Sequence, residues 1–324
     1  MAFREEQRMS LFKKILYVAS NINEDQDHPL DEALSVAQKN DATLSILVLK
    51  PNLSRSVSVN DSFEEAAKER IHASLEKDAL SLGIDISDMR DKIEIIFEDK
   101  KPFVIEIVKR IMRDGYDLVI KEAEDFDKAA SFFTFQSNDI NLLRKSPVPV
   151  WMSHRTKVIN SEPLITVAIH PEEENPEAEA LNKKLLNHAD KIANMMGAKL
   201  KIITCWSLQY EDHLRHAPFV KVPEEEIDAT VDQERQRSLS EVNRMIQESN
   251  MSCEYEIVHE KGRPQKIIPA FIKDNKVTLM VMGTVSRTGI PGFIMGNTAE
   301  DIIHQIDISM LAIKPDGFKS PVEV

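Results

Sequence analysis

The chain has 324 residues, 42% of them hydrophobic and 29% charged, which fits a folded globular protein and excludes a disordered one. That length exceeds what one small core organises and predicts two domains of ordinary size. A formal charge of −13 excludes the basic face of a general nucleic-acid binder, so no direct nucleic-acid contact is expected.

In chain order, strands alternate with helices, which implies parallel βαβ units. The first half opens with a strand at Ile15–Ala19, a polar loop over 20–28, and a helix from about Pro29 with Leu30, Ala33, Leu34 and Ala37 on one face. A strand at Leu44–Leu49 precedes a long helix from about Asp61 to Leu82. A strand at Ile93–Phe97 follows, and Pro102 suits the first turn of a helix running to Met112. A strand at Leu118–Ile120, a loop, a helix through Leu142 and Leu143, and a strand at Val148–Met152 complete the set.

The second half repeats this order. A strand at Ile165–Ile169 leads to a helix carrying Ala180, Leu181, Leu185, Ala189 and Ile192. A strand at Leu200–Thr204 and a long loop precede a helix from about Pro223 to Glu248, with Ile227, Val231, Leu239, Val242 and Ile246 at helical spacing. The acidic run Glu224–Glu226 suits the positive end of that helix. A strand at Tyr255–Val258, a helix opened by Pro264, a strand at Leu279–Met282, a glycine-rich loop, a helix and a strand at Met310–Ile313 finish it. Pro102…Asp117-Leu-Val-Ile matches Pro264…Thr278-Leu-Met-Val within one residue of length. The chain reads as a tandem duplication, with domains over 1–156 and 157–324 and a linker near Arg155–Pro163.

The loop after Leu279–Met282 holds four of the nine glycines: Gly283, Gly289, Gly292 and Gly296. Glycine permits positive φ and close approach of backbone to a ligand. Such a loop leading into a helix N-terminus favours an anion. In a parallel sheet it lies beyond the carboxyl ends of the strands, where ligands bind. A phosphate-bearing small molecule is the expectation, with Gly283, Thr284, Ser286, Arg287, Gly296, Asn297 and Thr298 as the site, and His170 at the end of a neighbouring strand. A tight, well-packed strand-to-helix connection would explain the glycines equally.

These residues resemble the universal stress protein family, which carries G-x2-G-x9-G-[S/T] after its fourth strand. Here the positions are Gly283, Ser286, Gly296 and Asn297, with Thr298-Ala-Glu-Asp-Ile-Ile and Met310-Leu-Ala-Ile-Lys-Pro after them. Leu142-Leu-Arg-Lys145 and Val148-Pro-Val-Trp151-Met are similar to the tandem members of the family. The resemblance implies two tandem Rossmann-like (adenine nucleotide alpha hydrolase-like) α/β domains, each a five-stranded parallel sheet with helices on both faces. It implies an internal pseudo-dimer through the two last strands, with room for a further homodimer. It also implies a non-enzymatic, cytoplasmic bacterial role in stress tolerance, including resistance to DNA damage.

The departures limit the site to the second half. ATP-binding members carry an Asp after the first strand, whereas Ser20 and His170 stand at the matching positions. In the first half Lys121-Glu122 falls where the motif's first Gly belongs, and Gln136-Ser137 where its last pair belongs. The loop between them has no Gly and carries Glu122, Glu124, Asp125 and Asp127, which would repel a triphosphate. No cofactor is required. ATP or another nucleotide is expected, if anywhere, in the second half. The alternatives are a weak ATPase, or an apolar ligand in a first-domain or interdomain cavity near Phe126, Phe132, Phe133 and Phe135. No G-x-S-x-G elbow, Walker A loop or G-x-G-x-x-G is present. His213-x2-His216 has two imidazoles but no nameable further ligands, which favours an ordinary surface turn over Zn²⁺. Cys205 and Cys253 read as buried thiols without a C-x-x-C partner. No window approaches the ~20 apolar residues of a membrane span. The mixed charges of the first ten residues do not form a leader pattern.

Overall fold

A computed structural model describes residues 10–19, 30–51, 57–123, 138–154, 162–171, 175–216, 222–284 and 295–323. The first half contains β1 (Lys14–Ala19), α1 (Asp31–Asn40), β2 (Thr43–Leu49), α2 (Val57–Leu82), β3 (Ile93–Glu98), α3 (Phe103–Asp114), β4 (Leu118–Glu122), α4 (Asn138–Lys145) and β5 (Val150–Ser153). The second contains β6 (Leu164–Ala168), α5 (Pro176–Met196), β7 (Lys199–Trp206), α6 (Glu211–His216), α7 (Glu224–Glu248), β8 (Tyr255–Lys261), α8 (Pro264–Asn275), β9 (Leu279–Gly283), α9 (Asn297–Ile303) and β10 (Ser309–Ile313).

The ten strands of the described residues form one sheet in the order β3-β2-β1-β4-β5-β10-β9-β6-β7-β8. Each half therefore has the same doubly wound order, and the two orders meet head to head. Every pairing is parallel except β5 with β10, which is antiparallel, with Trp151 opposite Leu311 and Met152 opposite Met310. The apolar edges expected of the two last strands thus cover one another. β5 begins at Val150, two residues later than the sequence pattern suggests, because Pro147 and Pro149 have no N–H to give to a ladder.

Alternation along the strands divides the core into two layers. One layer joins Ile15, Tyr17, Leu44 and Ile46 to the buried faces of α1, α2, α5 and α7. The other joins Leu16, Val18, Val119 and Met280 to α3, α4, α8 and α9. Both layers run across the β5–β10 seam, so the halves share a core. In α7 the expected apolar face is buried at Ile227, Val242 and Ile246, whereas Val231 and Leu239 are half-buried. Two short elements interrupt segments whose polar composition gave no periodic signal: a 3-10 turn over Ile86–Lys92, and α6.

Polar contacts fix the halves to each other beside the apolar seam. Trp151 is fully buried and donates its indole N–H to Glu32 Oε2 at 2.9 Å. Ser309 of β10 donates to Glu32 Oε1 at 2.7 Å. Burial pushes the Glu32 carboxyl above its ordinary range, while the donors Ser153, Ser309 and Trp151 act in the opposite direction. Arg144 Nη2 of α4 donates to both carboxylate oxygens of Glu300 of α9, at 3.0 and 2.9 Å. Lys314 donates to the carbonyls of Arg144 and Ser146, and its ammonium lies 3.8 Å from the centre of the Phe318 ring.

Candidate functional site

β6 and β9 run side by side, pairing Ile165, Thr166 and Val167 with Leu279, Met280 and Val281. Their carboxyl ends therefore lie on the same sheet edge, which brings His170 and the start of the glycine-rich loop together. The feet of that loop are pinned. Gly296 donates its N–H to the Thr284 carbonyl at 3.1 Å, and Thr284 donates its N–H to Ile313 at 3.3 Å. Ser286, Arg287, Gly289 and Gly292 lie outside the described residues, as do Ser20, Ser137 and Phe126, Phe132, Phe133 and Phe135 of the first half.

Gly283 and Gly296 owe their identity to different causes than positive φ. Gly283 is not among the left-handed glycines. An added Cβ there would sit 3.0 Å from Leu181 Cδ2 and 3.7 Å from Leu185 Cδ1, so glycine lets α5 approach the end of β9. Gly296 has φ −64° and ψ 136°, an extended conformation, and it is the N-cap of α9. Asn297 is the first helical residue and is exposed, and the cap makes no side-chain hydrogen bond. Thr298 is also exposed and accepts a hydrogen bond from Gln265 at 3.1 Å.

Thr284 is 1% exposed, and its hydroxyl has no hydrogen-bond partner among the described residues, a state it shares with the buried strand hydroxyls of Thr166 and Thr204. A buried hydroxyl without an acceptor is costly, on the order of 1–3 kcal/mol, and calls for an explanation at a functional edge.

His170 is exposed, and its backbone is clamped by the side chain of Asn182 on α5. The Asn182 carbonyl accepts from the His170 N–H at 3.2 Å, and its amide donates to the His170 carbonyl at 2.7 Å. His170 is not at the entry of a helix, since α5 starts only at Pro176. Asn182 escapes a pattern search because it occupies an ordinary position in an amphipathic helix.

In the first half an internal ion pair stands where the second half has its loop. Lys121, in the penultimate position of β4, sits where β9 has Met282. Its ammonium donates to Asp139 Oδ1 at 2.5 Å and to the Glu122 carbonyl at 3.0 Å. The two side chains are 2% and 4% exposed. Asp139 is in the first turn of α4, where the helix dipole favours a carboxylate. The internal carboxylate thus occupies the helix end that an anionic ligand would use. The sequence signal was a lysine within an apolar strand, followed by an aspartate at the next helix start.

The remaining reactive side chains are otherwise engaged. His213 and His216 are exposed on α6, and His216 Nδ1 lies 3.0 Å from the Asp212 carbonyl oxygen. Glu211 binds Arg215 and Lys261 instead of joining them. Among the described residues, no group of three or more His, Cys, Asp or Glu side chains is placed to hold a metal ion. Burial pushes the Cys205 thiol up to about 11, and burial with the neighbouring Asp190 pushes Cys253 up to about 12. Both are therefore thiols at neutral pH and poor nucleophiles. Among the described residues, no helix is long and apolar enough to cross a membrane.

Comparison with known proteins agrees with this architecture. Residues 178–314 match the universal stress protein family. The chain is 25% identical to Universal stress protein E of Photorhabdus laumondii, over 97% of this chain and 99% of that protein. It is 28% identical to Universal stress protein E of Escherichia coli K12, over 72% of this chain and 71% of that one. A solved structure described as a functionally unknown protein from Pseudomonas aeruginosa PAO1 shares the fold at a TM-score of 0.66 and 23% identity, covering 96% of this chain and 95% of that chain. The matched segment, the paired halves and the end-to-end similarity point the same way: residues 178–314 form a universal stress protein domain, and the chain as a whole is similar to the tandem Universal stress protein E.

Proposed function

We propose that this protein is a non-enzymatic, cytoplasmic binding module of the stress response, with one small-ligand site per chain at the carboxyl end of β9. The ligand class is a nucleotide or another phosphate ester, ATP being the first to test. The observation that carries the reading is the buried, unpartnered hydroxyl of Thr284 beside the pinned foot of the loop. A phosphate oxygen or ribose hydroxyl there would supply the missing partner. His170, on the same edge, is positioned by Asn182. The Lys121–Asp139 pair argues against a second copy of the site in the first half. Among the described residues, no activated thiol or metal cluster favours hydrolysis over binding. Support of stress tolerance, including resistance to DNA damage, would follow indirectly from ligand occupancy, in keeping with the acidic charge of −13.

The test is a titration of the purified protein with ATP and a fluorescent analogue. Saturable binding at one site per chain is expected. Loss of one hydrogen bond to a charged group, at about 1.5 kcal/mol, corresponds to a roughly tenfold weaker Kd for Thr284→Val. Absence of binding at millimolar ligand, or binding unchanged by both Thr284→Val and Gly296→Val, would remove the proposal.

A further inference from the structure

A second feature lies along α5, where the chain entering β1 from the other half crosses it. A groove of about 300 Å³ opens there, lined among others by Leu11, Lys183, Lys184, His188, Lys191 and Asp316. Asn40 builds its first-half wall by accepting the N–H groups of Leu11 and Phe12 at 2.8 and 3.1 Å. Phe12 packs against the His188 ring with centroids 6.2 Å apart.

The groove concentrates positive charge on a chain of net charge −13. Residues 184, 188 and 191 fall on one face of α5 by helical spacing. Three lysines meet a single lining carboxylate, Asp316, which takes Lys184 at 2.6 Å and is itself largely exposed. Lys183 is turned to Glu179 and Glu248 at 2.9 and 2.7 Å. Lys191 is half-buried, and no hydrogen bond or ion pair engages it among the described residues. His188 Nδ1 is 2.8 Å from the Lys184 carbonyl, so its proton sits on Nδ1 and Nε2 is left to take up another. Burial foremost holds that imidazole below its ordinary range, and the charges of Lys184 and Lys191 add to the effect.

Lys184 also donates to the Lys314 carbonyl at 3.1 Å, so Lys191 is the lining ammonium that no described group engages, and beside the His188 imidazole it leaves the site short of negative charge. We propose that this groove is a second binding site, for a compact phosphate-bearing anion, held by Lys184, His188 and Lys191 at the junction of the two halves. An anion there would pair with Lys191, compete with exposed Asp316 for Lys184, and favour the imidazolium of His188. Because the walls come from both halves, occupancy would bear on how tightly they are held.

The experiment follows the His188 ring resonances by NMR on the full chain, titrated with inorganic pyrophosphate and, in a second arm, with ADP. Sodium chloride at matched ionic strength is the control. Saturable shifts and a rise of the His188 titration midpoint are expected with pyrophosphate. Affinity should fall at least fivefold in Lys191→Gln and in Lys184→Gln, each checked for fold by circular dichroism. Thr284→Val should leave this site unchanged, which separates it from the β9 site. Binding of pyrophosphate alone identifies a free polyphosphate, and competition by ADP at His188 identifies a phosphate ester. Shifts reproduced by sodium chloride, absence of saturation, or identical affinity in Lys191→Gln would overturn the proposal.

Discussion

Removing one member of the Lys121–Asp139 pair should unfold the protein far more readily than removing both. The pair joins β4 to the first turn of α4, with side chains 2% and 4% exposed. Lys121→Met leaves the Asp139 carboxylate buried without its ammonium, and Asp139→Leu leaves the ammonium without its carboxylate. Breaking a buried pair by one partner costs about 3–5 kcal/mol. Replacing both by apolar side chains of similar size is often neutral or better, because the desolvation cost of both charges is also removed. The double variant Lys121→Met/Asp139→Leu should therefore lie within about 1–2 kcal/mol of the parent, against roughly 6–10 kcal/mol for the sum of the single changes. In urea, with a slope near 3 kcal/mol/M, each single change should lower the midpoint by roughly 1–1.7 M. Circular dichroism and tryptophan fluorescence, recorded together, show whether the transition stays cooperative. A double variant as unstable as the sum of the singles would refute the reasoning, since the two charges would then not be balancing each other.

Other outcomes follow from the same contacts. Gly283→Val should destabilise by about 1–3 kcal/mol through overpacking against Leu181 and Leu185, and Gly283→Ala should cost less; equal stability of all three proteins would contradict the packing role. Burial holds Lys314 down to about 7, so the folded chain sheds its proton before the unfolded chain does. Stability relative to Lys314→Met should then rise from pH 7 toward 10.5, by up to about 1.4 kcal/mol per pH unit; a flat difference over that window would show the amine is not perturbed. Glu300→Gln keeps the shape but weakens the contact to Arg144, and urea denaturation should register a loss of about 1–2 kcal/mol. Cys205, buried and pushed up to about 11, should resist a thiol reagent at pH 8 until the protein is unfolded, and Cys253, half-buried where the sequence suggests a buried thiol but pushed up to about 12, should react slowly; fast native labelling of Cys205 would contradict its burial.

Much of the fold was legible from periodicity alone. The apolar runs at Ile15, Leu44, Leu118 and Leu279 became central strands because they are buried on both faces, which demands continuous hydrophobicity. The repeated strand and helix order, together with the apolar Val148–Met152 and Met310–Ile313, also announced two halves with edges that need covering. Antiparallel pairing of β5 with β10 meets that need. The site was less legible. The sequence pointed to the loop after β9 and the strand end at His170 but left backbone freedom and tight packing as equal explanations of the glycines; at Gly283 contact with Leu181 is what excludes a side chain.

Local pattern determined the elements, their doubly wound order and the loss of the glycine loop from the first half, because these depend on side-chain character at short, regular spacing. Tertiary structure alone decided which groups meet across the halves: Arg144 with Glu300, Glu32 with Trp151 of its own half and Ser309 of the other, and Phe12 against His188. It also decided that the Thr284 hydroxyl is buried without a partner. The physical reason is the same in each case. Periodicity reports which face of an element is buried, while the identity of the group met at that face is set by the packing of elements whose separation in sequence carries no local signal.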